Sequence, residues 1–293
     1  MTEERPAYWE RLEKHTDWDE IWMNHPLVRA RINKRVTGTE GQWPLLWFKE
    51  RMGKRIPFES VLSIGCGVGN LERSLIEHGI ALAATGVDTS TTAIGEARTR
   101  AEQAGMAGRI EYVVADSRRY LAGLGRAPAV FFHESLHHFD RLDELLTLVR
   151  EALIPAGILY LDEYVGPART EWSISRMAFL NAVYRLLPSQ VRRVGVIRRP
   201  INREDPTEAV ASSGIHSAVG KHFRVLERRD YGGNLLAVLY PALRRPTGPA
   251  DPLGKVFDAT VERLLNMEER ILRQSGVFSD RSFQSVVVAA APG

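Results

Sequence analysis

Between residues 61 and 70 the chain reads Val61-Leu62-Ser63-Ile64-Gly65-Cys66-Gly67-Val68-Gly69-Asn70, and this run constrains the fold more than any other. An apolar strand enters three glycines at alternate positions, and a helix-like segment, Leu71 to His78, follows. Glycines there let the backbone turn sharply and approach a ligand closely, because no Cβ stands in the way. A helix opening directly behind such a turn presents its free N–H groups to that ligand. The spacing differs from the G-x-G-x-x-G of dinucleotide-binding turns, since the third glycine falls one residue early.

The elements after the turn alternate. Ala81–Val87 reads as a second strand, Ile110–Ala115 as a third, Ala129–His133 as a fourth and Ile158–Asp162 as a fifth. Leu142–Leu153 has apolar residues at helical spacing, broken by Pro155-Ala156-Gly157. Alternating strand and helix predicts right-handed crossovers and a parallel sheet. Pro206-Thr207-Glu208 reads as the start of a helix over 206–220, followed by a strand at Phe223–Arg229. A long helix is expected from Leu253 to Gln274, with Phe283–Ala290 as a closing strand.

Two strand ends carry acids. Asp88, followed by Thr89, is placed to accept hydrogen bonds from both hydroxyls of a ribose, and Asp116-Ser117 to meet an exocyclic amine. Glycine turn, acid, acid, each at a strand end, resembles class I S-adenosylmethionine methyltransferases. The resemblance spans about residues 56–164 and the last strands. It implies a Rossmann-like α/β fold of seven strands, the last inserted antiparallel between the fifth and sixth. It also implies S-adenosyl-L-methionine as cofactor, surrounded by Gly65, Cys66, Gly67, Gly69, Asp88, Thr89, Asp116, Ser117 and His133. One departure stands out: the family usually has Asp or Glu two residues before the first glycine, and here that residue is Ser63. The methionine end of the cofactor therefore lacks its usual carboxylate at that position.

On the acceptor side, the fourth strand ends His133-Glu134-Ser135-Leu136-His137-His138-Phe139. The Asn/Asp-Pro-Pro-aromatic run of many nucleic-acid and protein amine methyltransferases is missing here. His137 and His138 are candidate general bases, since imidazole titrates near neutrality; no metal site is assigned to them. The fifth strand ends Asp162-Glu163-Tyr164. Adjacent residues of a strand face opposite ways, and Glu163, nearer the carboxyl end, is taken as the one facing the acceptor. Glu171-Trp172 sets a carboxylate beside an aromatic ring, suited to accept a proton and shield a cation.

Two segments lie outside the α/β pattern: a helical, aromatic N-terminal segment over 1–52, preceding the core of 53–293, and a helical lid insertion over about 165–205. Both are expected above the carboxyl ends of the strands, where open α/β sheets bind ligands. Five of the six tryptophans (Trp9, Trp18, Trp22, Trp43 and Trp47) fall in the first segment, with Tyr8 beside them, so it is read as a cover over an apolar substrate, through Tyr8 and Trp22, or as the contact of a homo-oligomer. The lid holds eight arginines between 169 and 203, no lysine and one acid, Glu171. Arginine forks suit phosphate, so Arg192 and Arg193 are candidate diphosphate contacts, with Mg²⁺ if the acceptor is a diphosphate.

Further runs, Asp162 to Pro167 and Tyr231-Gly232-Gly233-Asn234, look like a bacterial group of small-molecule methyltransferases. Glu171-Trp172 and the aromatic N-terminus resemble terpenoid C-methyltransferases of the teleocidin or benzastatin type. That resemblance implies attack of a prenyl double bond on the methyl group, a carbocation shielded by aromatic rings, and proton removal by Glu171 or Glu163. The rival within the enzyme class is O-methylation of a phenol, sugar or polyketide hydroxyl with a histidine base. Outside it stand a cofactor-binding protein without turnover and a nucleic-acid methyltransferase using the lid arginines. The rest of the chain is compatible with a cytoplasmic protein. Its single cysteine, Cys66, lies inside the glycine turn, the net charge is +3, Met1 to Arg11 is unlike a signal segment, and no apolar run reaches the ~18 residues of a membrane span.

Overall fold

The computed structural model describes residues 21–123, 125–273 and 282–292. Tyr8, Trp9 and Trp18 lie outside them. The described chain opens with helices α1 (Pro26–Thr37) and α2 (Pro44–Met52), each with proline in its first turn, where no N–H partner is needed. Strand β1 (Phe58–Ile64) leads to α3 (Asn70–Glu77), β2 (Ala81–Asp88) to α4 (Thr91–Gln103), and β3 (Ile110–Val114) to α5 (Ser117–Ala122). Strand β4 (Ala127–His133) precedes α6 (Leu142–Ala152) and β5 (Leu153–Tyr164). Then come α7 (Ile174–Arg185), α8 (Ile215–His222), β6 (Arg224–Gly232), α9 (Leu236–Leu239), α10 (Leu253–Arg273) and β7 (Gln284–Ala290).

The sheet order is β3-β2-β1-β4-β5-β7-β6. Strands β1 to β5 pair in parallel, and β7 runs antiparallel between β5 and β6. This is the seven-stranded arrangement that the resemblance implied. Each central strand is apolar on both faces, as a sheet covered on two sides requires. Ala129 and Phe131 of β4 join one core with α1, α2, α3, α4 and α10, while Val130 and Phe132 join a second with α6 and α8. Phe48 of α2, fully buried, sets its ring 4.8 Å from Tyr160 and 5.6 Å from Phe131, which ties the N-terminal helices to the sheet. The Arg31–Glu269 ion pair joins α1 to α10, and a hydrogen bond from His25, the N-cap residue of α1, to Asp258 adds to it. No described helix is long and apolar enough to cross a membrane.

Two expectations are corrected. Strand β5 starts at Leu153, ahead of the Pro155-Ala156-Gly157 break. The helix expected from Pro206 begins only at Ile215, because Asp205 folds the chain into a turn instead: its carboxylate accepts from the Thr207 N–H and hydroxyl. The lid segment 165–205 contains one α-helix, α7, and is otherwise a short 3-10 turn and loops.

The glycine turn follows the stereochemistry of its residues. Gly65, Gly67 and Gly69 all have positive φ, from 52° to 74°. A Cβ at Gly69 would overlap the hydroxyl of Tyr112, which donates to the Gly69 carbonyl at 3.1 Å; one at Gly67 would meet nothing. We expect Gly69→Ala to lose about 2–4 kcal/mol through left-handed strain and overpacking together, and Gly67→Ala about 1–2 kcal/mol through strain alone. Urea unfolding of the two variants measures the difference, and equal losses would contradict it.

Candidate cofactor and acceptor site

A cavity of about 450 Å³ opens above the carboxyl ends of β1, β2 and β4. Its floor is the glycine turn. Asp88 Oδ2 accepts from the Gly67 N–H and Oδ1 from the Ser90 N–H, both at 2.9 Å, so one carboxylate fixes the turn and the start of α4. Ser90 caps that helix by accepting from Ala93 N–H. Asp116 caps α5 through Oδ1 in the same way, and its other oxygen remains for a ligand donor. Gly65, Cys66, Gly67, Asp88, Thr89, Asp116, Ser117 and His133 all line the cavity. Gly69 does not; its role is the close contact with Tyr112.

These residues fit S-adenosylmethionine. The turn offers backbone where a side chain would intrude: a Cβ at Gly65 would stand 2.6 Å from Ser135 Cβ. Asp88 and Asp116 both offer acceptors on the cavity wall, which His133, Glu134, His138, Phe139 and Thr207 also line. The N-terminal segment closes the other side with Ile21, Met23, Asn24 and Arg29.

The acceptor-side carboxylates differ from expectation. Glu163 does not face the cavity. It is fully buried, and accepts from Ser135 N–H at 2.7 Å, Leu136 N–H at 2.6 Å and His137 Nδ1 at 2.8 Å. Burial opposes its charge, but these three donors hold its carboxyl below the usual range. Burial likewise opposes the charge on His137, yet the Glu163 hydrogen bond and charge raise the imidazole to about 9. With Nδ1 bound to Glu163 and no place in the cavity lining, His137 is not positioned to act on a ligand there. Asp162, on the opposite face of β5, accepts from the Tyr231 hydroxyl at 2.7 Å.

Glu171 is exposed, accepting from Ala168 N–H and the Ser213 hydroxyl. Trp172 is buried against Phe283, with Arg176 above both rings, so the pair Glu171-Trp172 is split between surface and core. Trp22 is buried too, packed on Gly233, while its neighbours Ile21 and Met23 reach the cavity. The lid arginines are not brought to the cavity. Arg193 donates to Pro241 O, Arg192 pairs through its backbone with Leu243, and Arg169 donates to Asp205 O and Asn202 O. The cavity's arginines are Arg29 and Arg100.

Of the adjacent pair His137 and His138, His138 is the one that reaches the cavity. Its Nδ1 lies 3.2 Å from Thr207 Oγ1 and 3.4 Å from Asp205 Oδ2. The Thr207 hydroxyl proton is directed to Asp205 Oδ1 at 2.7 Å, so its oxygen can accept from an Nδ1–H tautomer of His138, whose Nε2 lies 3.9 Å from Glu208 Oε2. Burial would raise the Asp205 carboxyl, but the bonds from His138 and Thr207 outweigh it and hold it down to about 2. Sequence reasoning missed Asp205 and Thr207 because they lie some 70 residues away, in a stretch that reads as a helix start. It missed Glu134 as well. This residue has a φ of 49°, lines the cavity, and has a carboxyl raised by burial, against the His137 charge, with Glu163, Asp162 and Glu208 adding to the rise. His137, His138 and Glu208 bring three ligand atoms within 4.8 Å of one another, with His137 turning Nε2 toward Glu208 while its Nδ1 is bound to Glu163.

Residues 61–157 match the family model described as a methyltransferase domain. Among solved structures the chain is similar to Haemonchus contortus phosphoethanolamine N-methyltransferase 2 in complex with phosphomonomethylethanolamine and S-adenosylhomocysteine. That likeness has a TM-score of 0.53 at 17% identity, over 96% of this chain and 59% of that one. It is also similar to a geranyl diphosphate C-methyltransferase from Streptomyces coelicolor A3(2) in complex with Mg²⁺, geranyl diphosphate and S-adenosyl-L-homocysteine. There the TM-score is 0.51 at 14% identity, over 85% and 78%. At these identities the likeness shows the fold, which is that of class I methyltransferases.

The His137–Glu163 pair makes stability depend on pH. A histidine raised from 6.5 to about 9 contributes stability fully below 6.5 and loses it as pH rises through about 9. A lowered Glu163 contributes above the ordinary glutamate range and loses it as pH falls. The melting temperature should therefore fall from pH 7 to pH 10, and His137→Gln should flatten that decline. An undiminished slope in the variant would contradict the assignment.

Proposed function

We propose that this S-adenosylmethionine-dependent methyltransferase acts on a small-molecule hydroxyl held in the outer half of the cavity, with His138 as general base. The observation that carries this reading is the Asp205–Thr207–His138 chain at the cavity wall. It holds Nδ1 and so orients the ring, and in the Nδ1–H tautomer Nε2 is the acceptor. When bound, the cofactor supplies an electrophilic methyl group on a sulfonium. The chain's own part is then to hold the acceptor oxygen in line, to exclude water with Ile21, Met23 and Phe139, and to receive the hydroxyl proton on His138 Nε2. The anionic Asp205 behind the ring stabilises the imidazolium that results.

A second reading keeps the prenyl C-methylation suggested by the sequence, with a different carboxylate. Neither Glu171 nor Glu163 lines the cavity, whereas Glu134 does, and Phe139 adds an aromatic face for a cation. Here no proton leaves before methyl transfer, and Glu134 removes one afterwards. Arg29, rather than Arg192 or Arg193, is the cation at hand for a diphosphate.

Two substitutions separate these readings in assays with labelled cofactor, phenols, geraniol and geranyl diphosphate. The proposed hydroxyl chemistry predicts that His138→Ala lowers kcat by about 10²–10⁴-fold with cofactor affinity unchanged, and that Glu134→Gln has a smaller effect. Label on a prenyl carbon, with His138→Ala nearly as active as the parent, would replace the first reading by the second.

A further inference from the structure

Glu72 has no role in the account so far. It is the third residue of α3, its side chain is 0% exposed, and neither carboxylate oxygen has a hydrogen-bond partner among the described residues. A buried carboxylate left without donors costs several kcal/mol of lost hydration. Such a group persists in a native fold where something else supplies the missing donors. Glu72 lines the cavity at the end that Ser63 and the glycine turn enclose.

The groups around it do not meet the need. Arg73 points elsewhere, to Val68 O at 2.9 Å and Asn70 Oδ1 at 2.6 Å. Tyr112 donates to Gly69 O, and Asp88 adds a second negative charge. Ser63 lowers the Glu72 carboxyl somewhat, but no hydrogen bond of ordinary geometry reaches either oxygen. Burial prevails and pushes the group up to about 7. The site thus wants a cation with several N–H donors, at the position where the usual strand-end acid is replaced by Ser63.

We propose that Glu72 binds the α-ammonium of the cofactor's methionyl moiety, so that the carboxylate missing from the end of β1 is supplied from the facing helix. This rests on the reading of the cavity as a cofactor site. The ammonium offers the donors that Glu72 lacks, and the cation offsets the negative charge of Glu72 and Asp88 together. The glycine turn between them is open enough for the methionyl chain, since a Cβ at Gly67 would meet nothing within 4 Å.

Calorimetry with two ligands tests it: S-adenosylhomocysteine, which carries the ammonium, and 5′-methylthioadenosine, which lacks the amino acid. Glu72→Gln is expected to weaken S-adenosylhomocysteine about 10- to 100-fold and to leave 5′-methylthioadenosine within about twofold. The melting temperature of the ligand-free variant should stay level or rise, because an unpartnered charge has been removed. If Glu72→Gln folds poorly, Glu72→Ser and Ser63→Asp/Glu72→Ser provide the second comparison, the first losing S-adenosylhomocysteine affinity and the second regaining it. Equal weakening of both ligands, or unchanged S-adenosylhomocysteine binding, would overturn the role of Glu72. Parent protein that binds neither ligand would overturn the cofactor site itself, and the proposal with it.

Discussion

The buried Glu163 carboxylate fixes the chain that leaves β4, and the acceptor half of the site depends on it. It gathers the N–H groups of Ser135 and Leu136 and the Nδ1 of His137 onto two oxygens. With these held, the Ser135 hydroxyl donates to Ile64 O at 2.7 Å and seats the loop against β1 beside Gly65. The same anchoring turns Glu134 and His138 to the cavity on either side of His137. A carboxylate that accepts three hydrogen bonds inside the protein is rigid as well as ionised. It acts as a positioning group, and the residues it positions are the ones that reach the ligand space.

The cavity's charges also have a direction. Glu72, Asp88 and Asp116 stand at the glycine-turn end, where a cationic cofactor with a ribose and an adenine would lie. Toward the acceptor end Asp205 is held by Thr207 and lies 3.4 Å from His138 Nδ1. Low dielectric makes each charge there more consequential than in water, so an unpartnered acid such as Glu72 marks a missing cation more strongly than a surface acid does.

The glycine-turn half of the cavity lining was legible in the sequence because its requirements are local. Gly65 and Gly67 answer to backbone turns, and Asp88 and Asp116 follow from the ends of apolar strands. The sheet order followed from alternation and the resemblance. The acceptor half was not legible, because each role there depends on a distant neighbour. Glu163 and Asp162 are adjacent, and nothing in the strand pattern says that Ser135 and Leu136 present their N–H groups to one of them. The arginine-rich lid reads as a phosphate site, yet Arg169 and Arg193 donate to the chain's own carbonyls. Glu72 reads as an ordinary first-turn acid favoured by the helix dipole, and only its burial without partners sets it apart.

The central claim is that one continuous cavity holds the cofactor over the glycine turn and the acceptor beside His138. Crystals grown with saturating S-adenosylhomocysteine test it most directly. The account predicts ribose hydroxyls on Asp88, adenine toward Asp116, the amino acid toward Ser63 and Glu72, and the sulfur facing the space before His138. A ligand bound elsewhere, or an empty cavity at saturating concentration, would contradict it.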